Sequence, residues 1–403
     1  MKASKLIIIL FVLLLAFSLV NADGSKNVGK TCWDNGILKW KSDDGNFETR
    51  FDIRMYINGA YFYEDKNEMS NGTHLRKARF AIKTRFWKTW AAEWDMDIAE
   101  GIVEIKDMYV NYVGFNNSHI KLGNFKQALG LNEVTTSRYL TFIERAYPMM
   151  AFETDRKTAI EYSRWGERWN LRSSIFGQSM DAIKNKTEDE TGGGYVVRFV
   201  YAPKITKTLM IHLGGAYAIQ FPDDETNRVE FKSEPETKIG DVEILDTGNI
   251  NDVDNTIKIG LEGVLKYKGI SIQSEYISTK VSRMDSLVDV NLDGAYTFVS
   301  WILTGEERPW DNTQGEFGQI VPKNKYGALE LVARYSYLNL SDKKAGVFGG
   351  MANNYTVGLN WYPNANMKFQ FNYTMVDNSI NATGNGLGDD DFSYLHFMIV
   401  AFF

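Results

Sequence analysis

Residues 47–57 read FETRFDIRMYI, with apolar residues at most odd positions and charged residues at most even positions. Successive side chains of a β-strand point to opposite faces, so a period of two predicts a strand with one apolar and one polar face. The same alternation recurs in residues 92–98 and 367–375. The sequence therefore predicts an all-β fold.

Segments of this kind follow one another through the chain, and about sixteen strands are expected. The predicted strands cover residues 46–62, 74–87, 90–100, 103–114, 118–124, 157–165, 168–177, 193–202, 208–220, 256–267, 270–280, 293–303, 325–338, 351–362, 366–377 and 391–403.

Three features favour a transmembrane antiparallel β-barrel over a soluble β-sandwich that binds carbohydrate. The segments are about ten residues or longer, which is enough for a tilted strand to cross a bilayer. Aromatic residues cluster at segment ends, for example at 86–87 and 361–362. Tight turns such as 363–365 also alternate with long polar connections such as 223–255. One long connection, residues 304–324, departs from this rhythm.

The N-terminus indicates export. Lys2 and Lys5 precede an almost wholly apolar run, and small residues follow at 20–22, so residues 1–22 are expected to be a signal peptide. The alternative, a membrane anchor helix, would need roughly 20 apolar residues. Residues 23–45 are then a periplasmic N-terminal segment and residues 46–403 an outer-membrane barrel. The C-terminal Phe403 resembles the terminal signal of bacterial outer-membrane barrels.

Composition argues against catalysis, metal binding and nucleic-acid binding. The four histidines form no metal-ligand spacing, and the one cysteine, Cys32, makes no zinc site alone. A net charge of −6 provides no basic field for nucleic acid. A barrel enzyme stays as an alternative, but it would need a nucleophile–base pair that the sequence does not display. No cofactor is expected.

A basic run marks the second predicted strand: Arg76, Lys77, Arg79, Lys83 and Arg85. Most share the polar parity, so in a barrel they would project into the lumen and attract anions. The alternative is simple solvation of the lumen, balanced by the acidic residues of 93–97.

The connection 126–156 is long and carries Lys126, Arg138 and Arg145. Its apolar content is too high for a solvated loop, which predicts that this third loop folds inward and narrows the barrel. The alternatives are a surface loop or an additional strand.

These residues resemble the phosphate-selective porin O and P family over most of the chain and in the same order. The resemblance rests on LRKAR at 75–79, IKDMYV at 105–110, GNFK at 123–126, GL…FIER within 130–145 and GALELVARY at 327–335. It implies sixteen-stranded homotrimers, an inward third loop, and a cationic route for phosphate-like anions across the outer-membrane lipid.

Several family positions carry over directly. Arg145 corresponds to the arginine at the constriction, Thr136 to a hydroxyl residue beside it, and Arg76 with Lys77 to the basic pair on the second strand.

Other family positions differ. A phosphate-contacting lysine falls on Glu133, a second lysine falls on Ala91, and an aspartate falls on Lys106. Glu133 and Lys106 are therefore expected to modify the constriction. The expected function is a passive channel for small anions such as phosphate, and the alternative is a general diffusion porin that has weak selectivity and carries a different small solute.

Overall fold

The computed structural model describes residues 29–34, 36–63, 69–180, 191–240, 242–380 and 391–403. The expected signal peptide lies outside the described residues. No helix in these ranges has both the length and the apolar character to span a membrane.

Sixteen long antiparallel strands form one closed sheet, each paired with the next and the last paired with the first. Numbered in chain order with the shorter strands, they are β3 (Phe47–Tyr63), β4 (Gly72–Phe86), β5 (Trp90–Asp97), β6 (Glu104–Phe115), β7 (Ser118–Lys126), β8 (Arg156–Trp165), β9 (Trp169–Phe176), β10 (Thr191–Tyr201), β11 (Leu209–Pro222), β14 (Val253–Tyr267), β15 (Ile270–Arg283), β16 (Val290–Ile302), β19 (Ala328–Asp342), β20 (Val347–Asn364), β21 (Met367–Ile380) and β22 (Phe392–Phe402). The predicted all-β, sixteen-stranded antiparallel barrel is confirmed.

The barrel closes where β22 pairs with β3, in a register that places Phe402 opposite Arg54. Two backbone hydrogen bonds between Phe403 and Ile53, of 2.7 and 3.0 Å, complete this seam. Nearer the N-terminal end of β3, the same edge of this strand pairs with a hairpin of β1 (Lys30–Asp34) and β2 (Ile37–Lys41). The segment preceding the barrel therefore extends its sheet.

The two faces of the wall differ as the alternation predicts. On β21, Phe371 is 58% exposed, whereas its neighbours Gln370 and Asn372 are buried. Exposed aromatic side chains lie near both ends of the strands, among them Trp87 and Trp361 at one end and Tyr61 at the other. An exposed apolar face with aromatic borders is the pattern of a barrel that contacts lipid.

Connections alternate in length between the two ends of the barrel. At one end, called here the turn end, most are tight, as at 116–117 and 365–366. One is long: residues 303–327, the turn-end connection, contain a short hairpin of β17 (Trp310–Asp311) and β18 (Glu316–Phe317). At the opposite end, residues 223–252 contain β12 (Lys232–Ser233) and β13 (Leu245–Asp246).

Residues 127–155, called here the central segment, connect β7 to β8. They form short helices at Leu131–Val134 and Tyr147–Phe152 and a 3-10 turn at Ser137–Tyr139. Apolar side chains of the segment are buried together with those of residues 223–252, for example Phe152 against Phe231, with ring centres 5.6 Å apart. This packing accounts for the apolar content that the sequence shows here.

Phe371→Arg tests which face contacts lipid. A cation on the lipid-facing side of a barrel near the bilayer midplane costs about 2–4 kcal/mol, and close to 0–1 kcal/mol near the interface. We expect the free energy of unfolding in lipid vesicles to fall by that larger amount for Phe371→Arg and little for the control Tyr326→Arg at the turn end. Equal losses in the two variants would contradict the orientation of the wall.

Candidate functional site

A cavity of about 650 Å³ lies between the polar faces of β3 to β9, the central segment and the turn-end connection. Its cationic lining residues number thirteen: Arg54, Arg76, Lys77, Arg79, Lys83, Lys106, Lys121, Lys126, Arg138, Arg145, Arg156, Arg172 and Lys238. Its acidic lining residues number nine: Glu93, Asp97, Glu100, Glu104, Asp107, Glu153, Asp155, Asp311 and Glu316. A chain of net charge −6 thus forms a cavity in whose lining cations outnumber carboxylates.

The structure brings together nine of the eleven residues singled out from the sequence. The nine that line this cavity are Arg76, Lys77, Arg79, Lys83, Lys106, Lys126, Thr136, Arg138 and Arg145. Arg85 is exposed near the turn end of β4 and does not line the cavity, and Glu133 is buried behind it.

A β-bulge explains how two neighbours on one strand, Arg76 and Lys77, both reach the cavity. The register of β3 and β4 pairs Tyr56 with Lys77 and then Ile57 with Leu75, so Arg76 is the additional residue of the bulge. Such an insertion shifts the alternation by one position and re-aims a side chain. Simple alternation places only one of the two on the polar face.

Most cations of β3 and β4 are matched by carboxylates on neighbouring strands. Arg79 bonds Asp97 at 3.1 Å, Lys83 bonds Glu93 at 2.6 Å, and Arg54 lies 3.4 Å from the buried Asp95. Carboxylates of β5 therefore compensate most of the positive charge of β3 and β4. This is the alternative given above for the basic run, in which the acidic residues of 93–97 balance its charge.

Among the described cations of β3 and β4 that line the cavity, Lys77 is the exception. None of the described carboxylates forms an ion pair with its Nζ, which lies 5.4 Å from the centre of the Tyr56 ring. Its charged neighbours include Arg76, Arg79 and Arg145, with Glu144 as the nearby acid. Among the described residues, Lys77 therefore has cations on several sides and no carboxylate bonded to its Nζ.

The cations of the central segment mainly bind backbone carbonyl groups. Arg145 donates from Nε to the carbonyl oxygen of Asn132 at 2.9 Å, and from Nη2 to those of Glu133 and Thr135 at 3.2 and 2.9 Å. Lys126 donates to the carbonyl oxygen of Glu133 at 3.0 Å. Arg145, the arginine expected at the constriction, lines the cavity, and its Nε and Nη2 hold the turn of its own loop.

Side chains outside the segment satisfy more of its backbone. Carbonyl oxygens accept from four cations: Leu140 from Lys368 at 2.8 Å, Phe152 from Lys258 at 2.9 Å, Tyr139 from Arg308 at 2.9 Å and Glu144 from Arg334 at 3.0 Å. Backbone N–H groups donate to three carboxylates: Leu131 and Asn132 to Glu275 at 2.8 and 2.7 Å, Thr136 to Glu316 at 2.7 Å, and Tyr147 to Glu236 at 2.9 Å. Buried backbone groups need such partners.

Three further predicted residues also have partners within the protein. Thr136 donates through both its backbone N–H and its hydroxyl to Glu316. Arg138 bonds the buried Asp52 at 3.1 Å, and Lys106 bonds Glu104 at 2.5 Å. The cavity therefore contains the expected side chains, but much of their bonding capacity is already used.

Glu133 corrects the sequence-based expectation that it faces the constriction. Its side chain is 0% exposed, and its Oε1 accepts from the N–H groups of Thr154 and Asp155 at 3.1 and 3.0 Å. Burial, and then the nearby Glu153, raise the pKa of Glu133 to about 7. The carboxyl group links the two ends of the central segment instead of meeting a solute.

The turn-end connection is the part of the site that sequence reasoning missed. Arg198 on β10 donates to the carbonyl oxygen of Gly315 at 3.0 Å, and the ring of His212 on β11 lies 4.9 Å from that of Trp310. Arg308 bonds Glu330 on β19 at 2.6 Å. The connection thereby packs against the polar face of the wall, and its unexpected length was the one signal in the sequence.

Three carboxylates converge beside the cavity at Glu93, Asp95 and Asp107, close enough to share an ion. Cations face each of them: Lys83 bonds Glu93, and Arg156 bonds Asp107 at 3.0 Å. A metal cation would meet these positive charges at short range, so the cluster fits its ion pairs better than a metal.

Glu133→Lys tests the placement of this residue. Lysine can neither accept the two N–H bonds nor be buried there without a cost of several kcal/mol, so we expect the segment to loosen and single-channel conductance in planar bilayers to rise. Glu133→Gln keeps an acceptor and should retain conductance near that of the unmodified protein. Unchanged conductance with stronger phosphate block in Glu133→Lys would show that the side chain faces the solute after all.

Known proteins resemble this chain both in sequence and in fold. Over 92% of this chain and 91% of the relative, the sequence is 25% identical to Porin O of Pseudomonas aeruginosa. Two solved structures share the fold: OmpT of Vibrio cholerae in a trimer form (TM-score 0.55, 9% identity, 89% of this chain and 99% of that one) and the anion-selective porin of Comamonas acidovorans (TM-score 0.53, 12% identity, 89% and 100%).

The sequence profile of one family covers nearly all of the barrel. Its match runs over residues 47–399, from the first barrel strand to within four residues of the C-terminus. The chain belongs to the phosphate-selective porin O and P family.

Proposed function

We propose that the protein is a passive channel of the bacterial outer membrane through which small anions, including phosphate, diffuse. The observation that carries this proposal is the cavity, whose thirteen cationic and nine acidic lining residues contrast with a chain of net charge −6. Fixed positive charge along a narrow aqueous route raises the local concentration of anions and lowers that of cations.

The central segment would set the width of this route from inside the lumen. Its contacts support that position, because they reach polar side chains on widely separated strands. Ser137 lies 3.2 Å from the hydroxyl of Tyr56 on β3, Leu131 donates to Glu275 on β15, and Lys368 on β21 donates to the carbonyl oxygen of Leu140. A segment bonded to opposite parts of a closed wall would narrow the lumen and leave the cavity beside β3 to β9 as the route for a solute.

Selectivity for phosphate over other small anions is expected to be modest. Strong selection of a dianion requires several donors that converge on it and replace its hydration. Arg145 and Thr136, the two donors expected at the constriction, are bonded within the protein. This observation favours the second candidate, a general diffusion porin of weak selectivity, as the limiting case of the same channel.

The assembly and location of the channel are part of the proposal. A homotrimer in the outer-membrane lipid, reached through the signal peptide, fits the exposed apolar wall and the trimeric form of the similar OmpT barrel. Transport would involve no chemical step. The four histidines lie on different strands, and no catalytic role is assigned to any of them.

Lys77→Gln tests the origin of the anion preference. Two unit charges about 4 Å apart interact by about 1 kcal/mol in water, so loss of this unpaired cation should lower the preference for chloride over potassium roughly five-fold. The reversal potential across a KCl gradient measures the change, which should grow at low salt because screening weakens there.

Lys268→Gln, in the tight turn after β14 and outside the cavity, is the matched control and should leave the reversal potential unaltered. If Lys77→Gln had the same reversal potential as the unmodified protein, the charge of the cavity at Lys77 would not be a source of the selectivity.

A further inference from the structure

An acidic side chain from the turn-end connection occupies hydrogen-bond donors of the central segment. The Oε2 of Glu316 on β18 accepts from the backbone N–H of Thr136 at 2.7 Å, and its Oε1 accepts from the Thr136 hydroxyl at 3.2 Å. Glu316 and Thr136 both line the cavity.

The geometry resembles the capture of a soluble anion. The backbone N–H and the hydroxyl of one residue, Thr136, both donate to a single carboxylate. The same two donors could bind two oxygens of a phosphate. Arg172, which lines the same cavity and is itself paired with Glu161, is the cation that acts on the Glu316 carboxylate. Burial raises the pKa of the Glu316 carboxyl group, while the two donors of Thr136 oppose that rise.

We propose that Glu316 is a built-in competitor for permeating anions, which occupies the donors of Thr136 and lowers the affinity of the channel for phosphate. The inference rests on the proposed function and assigns Glu316 as a specificity-determining residue of that channel. Phosphate would have to displace the carboxylate, or pass it without gaining these bonds, so it would leave the channel quickly and obstruct other anions little.

The test measures how strongly inorganic phosphate blocks the chloride current through the purified protein in planar bilayers. The protein is used in the oligomeric state in which it is purified. Glu316→Ala frees both donors and removes the negative charge, so the phosphate concentration for half block should fall about five-fold or more. Glu316→Gln removes the charge but keeps an acceptor for Thr136, so its shift should be smaller and in the same direction.

Two further variants isolate the effect. Glu307→Ala removes a carboxylate from the same connection, where it bonds Lys266 at 2.9 Å outside the cavity, and should block like the unmodified protein. Thr136→Val in the Glu316→Ala background removes the hydroxyl donor and should reverse part of the gain. Heat-modifiable migration on a gel confirms that each variant is folded, and Glu316→Gln decides the matter if the alanine variant does not fold.

The outcomes are distinguishable. A chloride-selective channel in which neither Glu316 variant changes phosphate block overturns the inference and leaves the proposed function intact. Higher conductance of Glu316→Ala without stronger block would mean that Glu316 only fastens the segment, which also overturns it. If the unmodified protein showed no preference for anions over cations, the proposed function itself would be overturned.

Discussion

Satisfying the backbone of the central segment is the constraint on which the rest of this site depends. A segment buried against a barrel wall cannot leave its N–H and carbonyl groups to bulk water, and each unsatisfied buried group costs about 1–3 kcal/mol. Here charged side chains supply the partners. Glu275 binds the first N–H groups of the helical turn at Leu131–Val134, and Arg145 binds three carbonyl oxygens around that turn.

This constraint changes what the charges of the cavity can do. A cation that holds a carbonyl group, such as Lys126, still contributes its field but has fewer donors to offer a solute. A cation bonded to a carboxylate, such as Arg79, contributes little net field. The same side chains that make the cavity positive therefore limit how tightly it can hold an anion. Lys77 stands out because it has neither kind of partner among the residues that the structure describes.

The barrel could be predicted from sequence because its determinants are local. Alternation with a period of two is readable along each strand, and all sixteen predicted strands correspond to strands of the wall. The site could be predicted only in part. Parity placed cations of β4 on the polar face, and the length of the third loop together with the family resemblance indicated the others, so that nine of the eleven residues do line the cavity. The bulge at Arg76 depends on the register with β3, which single-strand periodicity does not encode.

The roles of Arg145, Glu133 and Thr136 were beyond sequence reasoning for a different reason. Their partners are set by tertiary contacts: Glu316 lies 180 residues from Thr136 along the chain. Resemblance to a family identified these positions but could not show that the protein itself supplies the groups they bind. The turn-end connection shows the same limit, since its length was visible but its contacts with Arg198 and His212 were not.

The central claim is that one route lined by excess cations crosses this barrel. The reversal potential of the unmodified protein across a tenfold KCl gradient in a planar bilayer tests it most directly. The structure predicts a potential of the sign set by chloride, with a larger magnitude at low total salt, where screening extends to roughly 30 Å at 0.01 M. A potential near zero, or of the sign set by potassium, would contradict the claim.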